Sequence, residues 1–119
     1  MDRYELIKRT KDFAHNCVKV AVSLPKNKLG SHIESQLIRC STSVAANYRA
    51  VSLAHSTASF AAKLSIVIEE VDECSFWLEF AVDEKIISFG NAETVINEAK
   101  ELTAIFISSR KTIQTRNNK

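Results

Sequence analysis

Residues 31 to 89 run for 59 positions without a glycine or a proline. A β architecture needs Gly, Asn-Gly or Pro at short intervals to turn its strands, so this gap restricts the chain to long helices. The whole chain holds 2 Gly and 1 Pro in 119 residues. A 45% apolar and 25% charged composition at that length is one domain's worth, and it excludes disordered, collagen-like and disulfide-scaffold classes. We therefore expect an all-α protein forming a single domain over residues 1 to 119.

Helix signals divide the chain into four. Pro25 ends the first segment. Ser31 stands three residues before Glu34, a capping-box spacing that predicts a helix start. Ser56 and Thr57 offer a second N-cap, and Gly90 with Asn91 predicts a stop followed by a new start. The expected helices span about residues 2 to 24, 31 to 54, 57 to 84 and 91 to 114.

Within each segment the apolar residues recur at alternating spacings of three and four, which lines them along one helix face. The stripes are Ile7, Thr10, Ala14, Cys17, Ala21 and Leu24; then Ile33, Leu37, Cys40, Val44, Asn47, Val51 and Ala54. The third is Phe60, Leu64, Val67, Val71, Cys74, Leu78 and Ala81, and the fourth is Val95, Ala99, Leu102, Phe106, Ser109 and Ile113. A sustained seven-residue repeat imposes left-handed packing near 20°, and short connections force antiparallel neighbours. The expected architecture is a left-handed, up-down-up-down four-helix bundle. The third helix carries more apolar surface than one seam absorbs: Ile66, Ile68, Phe76, Trp77, Phe80 and Val82 lie off its stripe. Surplus of this kind points to a subunit interface.

Chemistry-bearing motifs are sparse. Met1 to Thr10 carries five charges and no apolar core of a secretory signal, and no run approaches a membrane span. Both features predict a cytoplasmic protein without membrane attachment. Cys17, Cys40 and Cys74 are far apart and lack zinc-ligand spacing, which reads as buried thiols in a reducing compartment. Ferritin-like metal sites need Glu-x-x-His, which is absent here. The acidic cluster Glu69, Glu70, Asp72 and Glu73 is therefore expected to be a solvated face or to pair with Arg39 and Arg49. His15, His32 and His55 read as surface or capping residues. Ser41, Ser43 and Cys40 have no neighbouring base, and nucleophile elbows and phosphate loops are missing. We expect no enzymatic activity, no metal and no cofactor. Asn47 occupies an apolar stripe, where a buried amide would fix register or, less often, bind a ligand.

Net charge of +2 conceals three blocks. Residues 1 to 30 hold seven Lys or Arg against three acids, residues 31 to 100 five against ten, and residues 101 to 119 four against one. In an up-down-up-down bundle the start of the first helix meets the end of the fourth. That would gather Arg3, Lys8, Arg9 and Lys11 with Arg110, Lys111, Arg116 and Lys119 into a basic pole, a candidate footprint for RNA or DNA. An ordinary solvated terminus is the competing reading.

The run Ser41 to Arg49, Ser-Thr-Ser-Val-Ala-Ala-Asn-Tyr-Arg, resembles the four-helix bundle family named for the protein encoded in intervening sequences of 23S ribosomal RNA genes. The resemblance continues through Phe60 and Lys63 to Val67, then Glu70, Asp72, Glu73 and Phe76 to Glu79, and resumes over Asn97 to Phe106 and Ser108 to Thr112. Asn47, Arg39, Arg49, Glu70, Glu73 and Trp77 are its polar and aromatic motif positions. Two positions depart from the family pattern: Ala50 and Ser59 stand where many members have Glu. The resemblance implies a homopentameric ring of bundles without established enzymatic activity. It also implies kinship with the nucleic-acid-associated accessory protein of diversity-generating retroelements. The expected function is a non-enzymatic oligomeric scaffold that binds RNA or DNA weakly through the basic pole. The alternative is a protein-interaction adaptor.

Overall fold

Three short turns set the architecture of the computed structural model, which describes residues 1–117. They connect α1 (Arg3–Ser23), α2 (Lys28–Val51), α3 (Thr57–Asp83) and α4 (Phe89–Asn117). All regular structure among the described residues is helical, and the four helices form a bundle with extents of 51 × 21 × 20 Å.

α1 starts on a reciprocal capping box: the Glu5 amide donates to the Asp2 carboxylate at 2.8 Å, and the Glu5 side chain accepts from the Asp2 amide. α2 begins three residues earlier than the Ser31 spacing predicts. Its cap is Asn27, whose side chain accepts from the Gly30 amide at 2.8 Å, so Ser31 lies inside the helix and its amide bonds to the Asn27 carbonyl. Glu34 pairs with Lys26 at 3.0 Å instead of closing a box. The reason is steric. A Cβ on Gly30 would lie 1.9 Å from the Pro25 carbonyl oxygen, so only glycine lets the turn fold back this tightly against the first turn of α2.

α3 begins at its expected cap, with the Ser59 amide donating to the Ser56 hydroxyl. It ends at Asp83, one residue from the expected end, on a stop that uses neither Gly90 nor Asn91. Lys85 adopts a left-handed conformation with φ 60°. The Lys85 amide bonds to the Val82 carbonyl and the Ile86 amide to the Ala81 carbonyl, which together form a Schellman stop. Burial of Ile86 and Ile87 against Leu24, Ile33 and Ala81 holds the chain in this turn despite the cost of a left-handed lysine. Gly90 is a first-turn residue of α4, which also runs three residues past its expected end.

The core follows most of the predicted stripes, although Ile7, Ala54, Phe60, Ser109 and Ile113 are only partly buried, and it is wider, taking in Leu6, Phe13 and Val20 on α1 and Ala92 and Ile96 on α4. On α2 the prediction fails at Asn47. That residue is only half-buried and spends its amide on the Ser43 carbonyl and hydroxyl one turn away, at 2.9 and 2.8 Å. The buried position belongs to Tyr48, whose ring stacks on Phe106 of α4 at 5.3 Å. Cys17, Cys40 and Cys74 are fully buried, as expected. The Cys40 and Cys74 sulfurs lie 3.3 Å apart, and this contact together with burial pushes the Cys40 thiol above its ordinary range. Thr10 is buried too, its hydroxyl bonded to the Leu6 and Ile7 carbonyls.

These turns separate the roles of the two glycines. Gly30→Ala should lower stability by about 1–3 kcal/mol, because the added methyl has only backbone to displace. Gly90→Ala meets nothing nearer than 4.0 Å and should raise stability by about 0.5–1 kcal/mol. Lys85→Gly should also stabilise, by about 1 kcal/mol. Urea denaturation of the three variants checks the signs.

Candidate interface surfaces

The cations of the expected basic pole divide into two sets. Arg9 crosses from α1 to α4, donating from Nε and Nη2 to Glu98 at 2.7 and 2.6 Å and from Nη2 to Glu101 at 2.8 Å. This fork joins α1 to α4, the least closely packed of the four neighbouring helix pairs, and the Glu98 contact raises the arginine's affinity for its proton. Lys8 pairs with Asp12 one turn along α1 at 2.8 Å. Arg9 therefore spends its charge within the bundle, whereas the Lys8–Asp12 pair stays exposed to solvent on α1.

The other set has no carboxylate partner among the described residues. Arg3 donates to the Ser52 carbonyl at 3.3 Å, where α2 ends, and its guanidinium lies over the Tyr4 ring at 4.9 Å. Arg110 donates to the Ser65 hydroxyl of α3 at 3.2 Å. Lys111 and Arg116 are exposed further along α4. Lys119 lies outside the described residues. Lys11 is exposed on a different surface, the groove between α1 and α2.

The family-motif residues form a second constellation, on α2 and α3. Arg39 donates to both Glu70 and Glu73, and the Trp77 indole donates to Glu73 at 3.0 Å. His32 meets the Trp77 ring edge-on at 5.4 Å. This is the pairing expected for Arg39. Arg49, in contrast, turns away from the acidic cluster and lines the α1–α2 groove. Arg39, followed by Trp77, holds the Glu73 carboxyl below the usual carboxylate range. His15 and His55 are exposed, and no group of three or more His, Cys, Asp or Glu among the described residues is arranged to hold a metal ion.

Two apolar surfaces remain uncovered. On α3 and α4, Ile66, Phe76, Phe80 and Ile107 are exposed, with Phe76 at 52% and packed edge-on against Trp77. The rest of the surplus is absorbed, since Ile68, Trp77, Val82 and Ile105 pack on the core and Ile96 is buried. On the other side, Ile7, Ala14, Val18, Thr42, Ala45 and Ala46 line a largely apolar groove of about 450 Å³ between α1 and α2, rimmed by Lys11, His15 and Arg49. The stripes placed Ile7 and Ala14 in the core, and the groove itself is visible only when α1 and α2 are laid side by side.

The family model for the 23S rRNA-intervening sequence protein matches residues 2–108. The chain belongs to this family. The fold of this family member matches a crystal structure of a protein of unknown function from the S23 ribosomal protein family of Bacteroides thetaiotaomicron, with a TM-score of 0.81 and 29% identity. The match covers 88% of this chain and 97% of that one. Comparison with curated proteins finds no match. The match spans parts of all four helices, including Arg39, Asn47, Glu70, Glu73 and Trp77. No helix among the described residues is long and apolar enough to cross a membrane.

The Glu73 network has a pH signature. A carboxyl held below its unfolded value, about 4.3 for Glu, stabilises the fold above that pH and loses its contribution as pH falls through the folded value. Between pH 5 and 3 the melting temperature of the wild-type protein should therefore fall further than that of Glu73→Gln. Thermal melts followed by circular dichroism across this range check it.

Proposed function

We propose that this protein is a non-enzymatic oligomeric scaffold whose cationic end binds an RNA or DNA backbone weakly. The observation that carries the reading is the set Arg3, Arg110, Lys111 and Arg116, which has no carboxylate partner among the described residues, while Arg9 is held by Glu98 and Glu101. Clustered uncompensated cations attract polyphosphate through the release of its counterions. The Arg3 contact to the end of α2 and the Arg110 contact to Ser65 support an antiparallel, up-down-up-down arrangement, and the seven-residue repeat favours left-handed packing within it. In that arrangement the end of α4 runs beside the start of α3 and the α2–α3 turn, which brings the four cations to one end of the bundle.

The uncovered apolar surfaces on α3 and α4 support assembly, and the family resemblance suggests five subunits in a ring. A ring would repeat the cationic end around one axis and multiply a weak site. Paired Lys8 and Arg9 favour the second reading, a protein-interaction adaptor without nucleic-acid binding. We place either activity in the cytoplasm, in keeping with three unbridged buried thiols.

Fluorescence anisotropy with labelled single-stranded RNA and DNA tests the leading reading. About four phosphate contacts should cost about 50-fold in affinity between 50 and 200 mM salt. Arg110→Glu with Lys111→Glu should abolish most of the binding. Absence of binding at 50 mM salt, or binding indifferent to that double change, overturns it. A protein partner retained from the native cell after nuclease treatment would then support the adaptor.

A further inference from the structure

Two of the exposed surfaces are opposite in both place and charge. α1 and α3 sit across the diagonal of the bundle, since α1 packs on α2 and α4 while α3 packs on α2 and α4. The α1–α2 groove and the α3–α4 face therefore look in opposite directions. Phe76 lies in the shallow trough between α3 and α4, with Asp72, Glu79 and Lys100 beside it. α3 as a whole carries six carboxylates against one lysine, whereas α1 carries five Lys or Arg against two acids.

Spacing on α3 makes the outer face a second seam. Ala62, Ile66, Glu69, Glu73, Phe76 and Phe80 alternate four and three apart, the repeat that lays one helix against another. Ile107 on α4 extends its apolar part. Opposite, Ala14, Thr42, Ala45 and Ala46 line the groove together with Ile7 and Val18, the small residues leaving room for a foreign helix to approach closely, with Lys11, His15 and Arg49 on the rim.

We propose that the α3–α4 face of one copy of this chain docks into the α1–α2 groove of the next copy. The proposal rests on the oligomeric reading above and says which surfaces meet. Phe76 and Phe80 would enter the small-residue floor, while Asp72 and Glu79 approach Lys11 and Arg49. Self-pairing is disfavoured on both sides. Two α3–α4 faces brought together would set Glu69, Asp72 and Glu79 against their own copies with only Lys100 beside them to compensate, and two grooves would oppose Lys11 and Arg49 with theirs. A contact between unlike faces is heterologous, so each added copy presents a fresh acceptor and the assembly grows until rotation closes it into a ring.

Obstructing one face per chain tests this. Variant one, Phe76→Asp with Phe80→Asp, removes the donor face; variant two, Lys11→Glu with Ala46→Glu, blocks the groove. All four positions are exposed, and unchanged circular dichroism verifies folding. Light scattering coupled to size exclusion should give each variant alone the 13.3 kDa of one chain, and the equimolar mixture twice that mass, because one intact donor face meets one intact groove. As a second measurement, Lys11→Glu with Arg49→Glu should dissociate the assembly, and adding Asp72→Lys with Glu79→Lys in the same chain should restore its mass. A mixture that stays monomeric with no restoration by the charge swap overturns the face assignment, as does either variant keeping the wild-type mass. A monomeric wild-type protein overturns the oligomeric reading and this proposal together.

Discussion

The structure depends first on burying one apolar stripe from each of four long helices against the others. Helices of 21 to 29 residues with a charged outer half are marginal alone in water, because propensity barely exceeds the cost of ordering the chain. Packing of Leu64, Val67, Val71, Cys74 and Leu78 from α3 against the stripes of its two neighbours supplies most of what is missing. The turns obey that packing rather than their own preferences. Lys85 accepts a left-handed backbone because Ile86 and Ile87 must reach the cluster of Leu24, Ile33 and Ala81.

Charge is apportioned by the same packing. Where α1 comes alongside α4, Glu98 and Glu101 draw Arg9 inward, and a partly buried, forked arginine contributes more than an exposed pair does. Arg39 plays the corresponding part between α2 and α3, at Glu70 and Glu73. Of the cations left without a carboxylate partner among the described residues, Arg3, Arg110, Lys111 and Arg116 lie toward helix ends and Lys11 lies in the α1–α2 groove. A block of like charge in sequence is thus a poor guide to a charged surface, since neighbouring helices compensate part of it.

Each helix of a four-helix bundle turns one stripe inward and needs only polar residues elsewhere. α1 and α3 do not conform. Val22 and Tyr4 are exposed on α1, and Ile66, Phe76 and Phe80 on α3. Keeping large apolar groups in water brings no stability to the single chain, so an outer face patterned like an inner one leaves apolar area that the bundle itself does not bury. The family assignment and the shared fold with the Bacteroides protein establish what kind of bundle this is, while the function of that relative is itself unknown.

The absence of glycine and proline over residues 31 to 89, together with alternating spacings of three and four, determined the helical class, the count of four helices and most of the core positions. Those signals are local, set by the period of a helix and by which residues interrupt it. The tertiary structure decided the rest. It chose Asn27 over Ser31 as a cap because Gly30 meets the Pro25 carbonyl, Tyr48 over Asn47 as the buried residue because Phe106 lies opposite, and which cations face solvent because Glu98 and Glu101 lie across from Arg9. Each of these outcomes turns on a partner 5 to 92 positions away in the chain, a distance at which helical period carries no information.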